Sequence, residues 1–169
     1  MDVTLLILRV THITAGVFWA GGALVSAAFI NPTAKFVKQD AAKFLAHLNF
    51  VRRYPLWLGI AGILNVLSGA VMYYRIFGDR VVFSNGYSAA LTIGGILGVL
   101  ALGIGLGMMM PAGNKLEALV KAVAAGDGPP SPEQAAAIGV IQEKLMRWTV
   151  MVTLLLLLAV IAMSANEAL

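Results

Sequence analysis

The sequence contains no cysteine. That excludes disulfides, thiolate metal sites, iron–sulfur ligation and covalent attachment of c-type haem through a cysteine pair. Charge is scarce as well. Asp, Glu, Lys and Arg make up 12% of the residues, against about 25% in a soluble domain. Histidine occurs twice, at His12 and His47. No nucleophile–base pair stands out, no glycine-rich phosphate loop follows a strand-like run, and no two carboxylates share an apolar stretch. A soluble hydrolase or nucleotide-binding reading therefore has no residues to carry it.

What the chain has instead is apolar length. It is 60% hydrophobic, with a mean hydropathy of +0.87. Four runs stand out at 5–30, 56–74, 89–110 and 149–165. Each approaches or exceeds the ~20 residues that a helix needs to cross a bilayer. The spacing predicts an all-α integral membrane four-helix bundle, a single domain over 1–169. The first run is too long, and its start at Met1-Asp2-Val3 too acidic, for a cleaved signal peptide, so a retained helix is expected.

Four spans place both termini on one face, A, and the 31–55 and 111–147 connections on the other, B. Nine Lys and Arg lie at B (Lys35, Lys38, Lys43, Arg52, Arg53, Lys115, Lys121, Lys144, Arg147) against three at A (Arg9, Arg75, Arg80). The positive-inside rule then predicts a cytoplasmic B face in the cell's inner (plasma) membrane, with both termini outside the cytoplasm. Tyr54, Trp57 and Trp148 suit an aromatic belt at B; Tyr73, Tyr74 and Tyr87 suit one at A. The pI near 9.6 does not imply nucleic acid, because the basic residues gather beside apolar spans.

Both B connections read as helical. Val37, Ala41, Phe44, Leu45 and Leu48 recur at helical spacing, with Lys35, Lys38, Lys43 and Arg53 on the polar face. This describes an interfacial amphipathic helix that leads to Pro55 at the start of the second span. In the other connection, Gly126-Asp127-Gly128-Pro129-Pro130 breaks the chain. Ser131-Pro132-Glu133-Gln134 follows as an N-cap, a proline at N1 and a capping-box glutamine, which predicts a long last helix from Pro132.

Small residues recur at close-packing spacings: Gly16-x3-Ala20, Gly94-x3-Gly98 and Gly103-x3-Gly107, with Gly62, Asn65, Gly69 and Met72 on one face of the second span. Such faces let helices approach closely in lipid. They would equally leave room for a flat macrocycle.

His12 is the candidate functional residue. A titratable ring at membrane depth is a functional-site hypothesis by default. It shares a helix face with Leu5, Arg9, Gly16 and Trp19. About seven residues of helix put it ~10 Å below the apolar edge at face A. Arg9 is one turn nearer that face, and Arg75 ends the second span at the same face. An imidazole ligand below two guanidinium groups is what a b-type haem and its propionates require. His47 lies beyond the far end of the first span, so it reads as interfacial and a bis-His centre within one chain is disfavoured. Met72 or Met163 could supply a sixth ligand, with Gly16 and Gly69 flanking the cofactor. The alternative for His12 is a hydrogen bond to a neighbouring helix, through Asn65, or to Thr14; copper handling and proton transfer are further alternatives. Met108-Met109-Met110 offers thioethers for Cu(I), but at face B, away from His12.

The pattern His12-x6-Trp19-x-Gly21, followed by Pro32 and by Gly69 late in the second span, resembles the copper-resistance-D-like superfamily of four-helix membrane proteins. The hydropathy layout agrees over nearly the whole chain. That superfamily includes proteins assigned to copper import, the four-helix haem-binding protoporphyrinogen oxidase and many uncharacterised members. The resemblance implies a haem-ligand role for His12. The oxidase branch also uses a lysine in the third span, and 89–110 contains none. The expectation is a haem-binding subunit that carries or supports electron transfer beside other membrane subunits or a second copy. The alternative is a cofactor-free accessory subunit; copper transport and porphyrinogen oxidation come after these.

Overall fold

The computed structural model describes residues 2–37, 41–79, 83, 85–126 and 129–165, without the side chains of 41–43. Lys38, Asp40, Arg80, Asp127 and Gly128, and the side chain of Lys43, lie outside what is described. Among the described residues the structure is all-helical. The elements are α1 (Val3–Val25), α2 (Asn31–Val37), α3 (Ala41–Ala46), α4 (Tyr54–Phe77), α5 (Gly86–Ile104), α6 (Met110–Ala124) and α7 (Pro132–Ser164). Four continuous helical stretches, Val3–Val37, Tyr54–Phe77, Gly86–Ala124 and Pro132–Ser164, are long and apolar enough to cross a membrane. The chain is a multi-pass membrane protein with the expected four-helix architecture.

The helix starts follow from local chemistry. Asp2 caps α1 by accepting the N–H groups of Thr4 (2.9 Å) and Leu5 (3.3 Å), donors that the helix itself leaves unpaired. Asn85 and Ser88 form a reciprocal capping box at α5. Ser131 and Gln134 do the same at α7, which starts at Pro132 as the spacing predicts. Before α4 the chain turns through Arg53 at φ 51°, with Pro55 in the first helical turn.

Among the described residues, π-helical turns interrupt the helices at Ser26–Ile30, His47–Val51 and Gly105–Met109. The first and third come just before Pro32 and Pro111. A proline has no N–H for the carbonyl four residues back, and its ring crowds that carbonyl. A locally widened turn relieves both problems without ending the helix. This is why the first and third stretches run on past the 5–30 and 89–110 boundaries. In the 31–51 connection the described residues are helical as expected, α2 and α3 followed by a π-turn at His47–Val51; the residues between α2 and α3 lie outside what is described.

In the bundle α1 lies along α4 and α5 along α7, while contacts of α4 with α5 and of α1 with α7 close the ring. The centre holds Trp19 and Ala23 from α1, Ala61 from α4, Ala101 from α5, and Val152 and Leu156 from α7. Most of each span's apolar surface is exposed, as it must be where lipid is the solvent. Small side chains dominate this centre because packing, with no hydrophobic drive in lipid, rests on close approach.

Candidate functional site

Glycines set the α1–α4 seam. A Cβ on Gly62 would fall 2.9 Å from the Trp19 ring, and one on Gly22 would fall 2.5 Å from Leu58 Cδ2. Nearer face A the same logic places two polar side chains. A Cβ on Gly16 would meet Asn65 Nδ2 at 2.7 Å, and one on Gly69 would meet His12 Cε1 at 2.8 Å. Each polar side chain therefore occupies the space left by a glycine on the opposite helix.

The two side chains are also bonded across the seam. Asn65 Nδ2 donates to the His12 carbonyl at 2.8 Å. His12 Nδ1 lies 2.8 Å from the Asn65 carbonyl oxygen. A carbonyl can only accept, so Nδ1 carries a proton, and in the neutral ring Nε2 is the nitrogen with the lone pair. Nε2 has no hydrogen-bond partner among the described residues. Nor is it a sealed orphan: Asn31 Nδ2 is the buried, unpartnered side-chain atom found among those residues. Of the two partners considered from sequence, Asn65 on α4 and Thr14 on α1 itself, Asn65 is the one observed. Thr14 points to a shallow apolar groove of about 540 Å³ on the flank of the same seam, between Phe18, Trp57 and Leu64, which does not include His12.

The remaining candidates divide. Arg9 is exposed and forms no ion pair among the described residues. Arg75 is engaged: its Nη1 donates to Asp2 Oδ2 at 2.6 Å. This bridge ties the end of α4 to the start of α1 at face A, with both side chains still nearly half exposed (43% and 45%). Sequence reasoning placed Arg75 at that face but missed Asp2 as its partner. The available signal was an aspartate in the N-cap position, where its carboxylate is already fixed. Accepting the Leu5 N–H, together with the Thr4 N–H and the charge of Arg75, holds the Asp2 carboxyl below the usual carboxylate range.

Met72 is half-buried on α4. Met163 packs elsewhere, across the α5–α7 seam, where a Cβ on Gly94 would lie 2.7 Å from its Cγ. Gly98 is buried, but Gly103 and Gly107 are exposed and face open space. The Gly103-x3-Gly107 pair is thus no packing face within this chain. His47 is exposed in the π-turn on the B side. Met108 and Met110 are exposed near the same face, while Met109 packs on the core. No group of three or more His, Cys, Asp or Glu side chains suited to a metal ion occurs among the described residues.

Further polar contacts among the described residues join the helices and belong to no expected site, among them Tyr73 Oη with Thr92 Oγ1 at 2.6 Å between α4 and α5. At the B end Tyr54 Oη donates to the Gly22 carbonyl at 2.7 Å and meets Ser26 Oγ at 3.0 Å. Thr153 Oγ1 reaches the Ala23 carbonyl at 3.0 Å. No protein-family model, curated protein or solved structure matches this chain.

Proposed function

We propose that this multi-pass membrane protein binds a b-type haem through His12 Nε2 and serves as an electron-transfer or supporting subunit of a redox assembly in the plasma membrane. The observation that carries the reading is the bond from His12 Nδ1 to the Asn65 carbonyl. A metal-ligating histidine almost always spends its other ring nitrogen on such an acceptor, which fixes the tautomer and the ring plane. Gly69 leaves the room in which the ring packs against α4. Arg9, one turn nearer face A and in no ion pair among the described residues, is the first cation for a propionate. Arg75 is the second, through the exposed part of its guanidinium. Met72 is the sixth-ligand candidate on this side of the bundle. When bound, haem supplies one-electron redox chemistry; the protein supplies the ligand, the cations and an apolar surround. The resemblance to the copper-resistance-D-like pattern supports the same assignment. The assignment carries with it a cytoplasmic B face and external termini, on the lysine and arginine bias.

A second reading rests on the same residues. The mutual filling of Gly16 by Asn65 and Gly69 by His12 is what a purely structural clasp would look like, in a cofactor-free accessory subunit. The visible spectrum of the purified protein separates the two. The haem reading expects a Soret band that His12→Ala abolishes. The accessory reading expects no band, and co-purification with partner subunits that survives His12→Ala.

A further inference from the structure

In the second B-side connection two of the four cations are paired, and Lys115 and Lys144 are exposed with no ion pair among the described residues. On α6 Lys121 pairs with Glu117, and on α7 Arg147 pairs with Glu143, each at 2.6 Å and one helical turn apart. The 31–53 segment holds Lys35, Lys38, Lys43, Arg52 and Arg53 against Asp40 as its one acid. Lys35, Arg52 and Arg53 are exposed and form no ion pair among the described residues. The same segment leaves large apolar side chains uncovered: Phe36 is 85% exposed, Val51 66% and Phe44 58%. A surface that is both uncovered-apolar and unneutralised-basic needs an occupant that is both apolar and acidic.

Depth identifies that occupant. Arg75 marks face A by its bridge to Asp2. Arg53, at the opposite end of the same helix, is about 33 Å away at 1.5 Å per residue. That is close to the roughly 30 Å thickness of the hydrocarbon layer. Trp57, one turn inside α4 and exposed, falls at the level where tryptophan favours the interface. Arg52 and Arg53 therefore stand at the phosphate level of the B leaflet. A zwitterionic headgroup brings its own cation; an anionic one leaves a net negative charge for these arginines to meet.

We infer that the described surface of the 31–53 segment, residues 31–37 and 44–53, is a docking surface for anionic phospholipid in the B leaflet. Arg52, Arg53 and Lys35 hold headgroup phosphates there, and Phe36, Phe44 and Val51 lie among the acyl chains. Native mass spectrometry of the full chain in detergent, with phosphatidylglycerol or phosphatidylcholine of the same acyl chains added, tests this. The wild type should retain phosphatidylglycerol preferentially, and Arg52→Gln/Arg53→Gln should weaken that retention by about fivefold for each arginine removed. Lys115→Gln/Lys144→Gln, which removes B-side charge from the other connection, should leave it unchanged. Equal retention of the two lipids by the wild type would overturn the inference, whether or not the arginine variant folds. So would undiminished phosphatidylglycerol binding by a helical Arg52→Gln/Arg53→Gln protein, or an equal loss in the lysine variant.

Discussion

His12 and Asn65 hold each other across the α1–α4 seam: the imidazole Nδ1 donates to the Asn65 carbonyl, and the Asn65 amide donates to the His12 carbonyl, both at 2.8 Å. One exchange joins four polar groups in a low-dielectric setting and fixes which ring nitrogen is left over. It also makes the site depend on two glycines, because neither side chain fits if its opposite helix carries a Cβ.

Asn65→Ala removes the amide bond to the His12 carbonyl but leaves the Asn65 backbone carbonyl in place for Nδ1. Interhelical hydrogen bonds in membranes are worth about 0.6 kcal/mol on average and up to about 1.7. The variant should lose stability within that range, measured by denaturant titration in detergent micelles. If haem is bound, its absorption should broaden, because the ring keeps its acceptor but loses a fixed neighbour.

Gly69→Ala is the sharper perturbation. Its new Cβ would sit 2.8 Å from His12 Cε1 and 3.0 Å from Nδ1, so the ring has to leave its position against α4. Overpacking of this kind costs about 1–3 kcal/mol. Gly103→Ala is the control: nothing lies within 4 Å of that site, and the substitution should be neutral or stabilise by up to about 1 kcal/mol through helix propensity. Thermal unfolding of the two variants side by side reads the difference.

Tyr54→Phe tests the B end of the same seam. It deletes the hydroxyl that donates to the Gly22 carbonyl and meets Ser26 Oγ, while Ser26 still donates to Gly22. A loss of about 0.5–1.5 kcal/mol is expected. If haem is bound, its spectrum should be unaltered, since ten residues of α1, about 15 Å of helix rise, separate Gly22 from His12.

The Asp2–Arg75 bridge carries a pH dependence. The folded state lowers the Asp2 carboxyl below its usual range, the Leu5 N–H contributing first. The stability this adds is fully present above the ordinary carboxylate pKa and is lost as pH falls through the lower folded value. Asp2→Asn should therefore narrow the gap between melting temperatures at neutral and strongly acidic pH. High salt should weaken the effect in the wild type, because the pair is half exposed.

The sequence made the spans legible because their apolar length leaves few alternatives in lipid. The capping box at Ser131 and Gln134 was legible because capping is local. The first and third spans read short because a proline usually ends a helix, whereas here π-turns before Pro32 and Pro111 carry it through. At the site, His12 and its two alternative partners were visible as residue types. Which partner won depended on the seam register, and that register is set by where Gly16 and Gly69 fall opposite Asn65 and His12. Pattern alone cannot align one helix with another to that accuracy. The glycine pair at 103 and 107 shows the converse: a packing motif in the sequence that faces open space within this chain.

The most direct test of the His12 assignment is the haem content of protein extracted from its native membrane, measured per chain as the pyridine haemochrome for wild type and His12→Ala. The account predicts roughly one b-type haem for each wild-type chain, with each His12 holding its own haem, and near-complete loss in His12→Ala with the helical content retained. Wild-type protein without haem, or equal haem in both proteins, would contradict it.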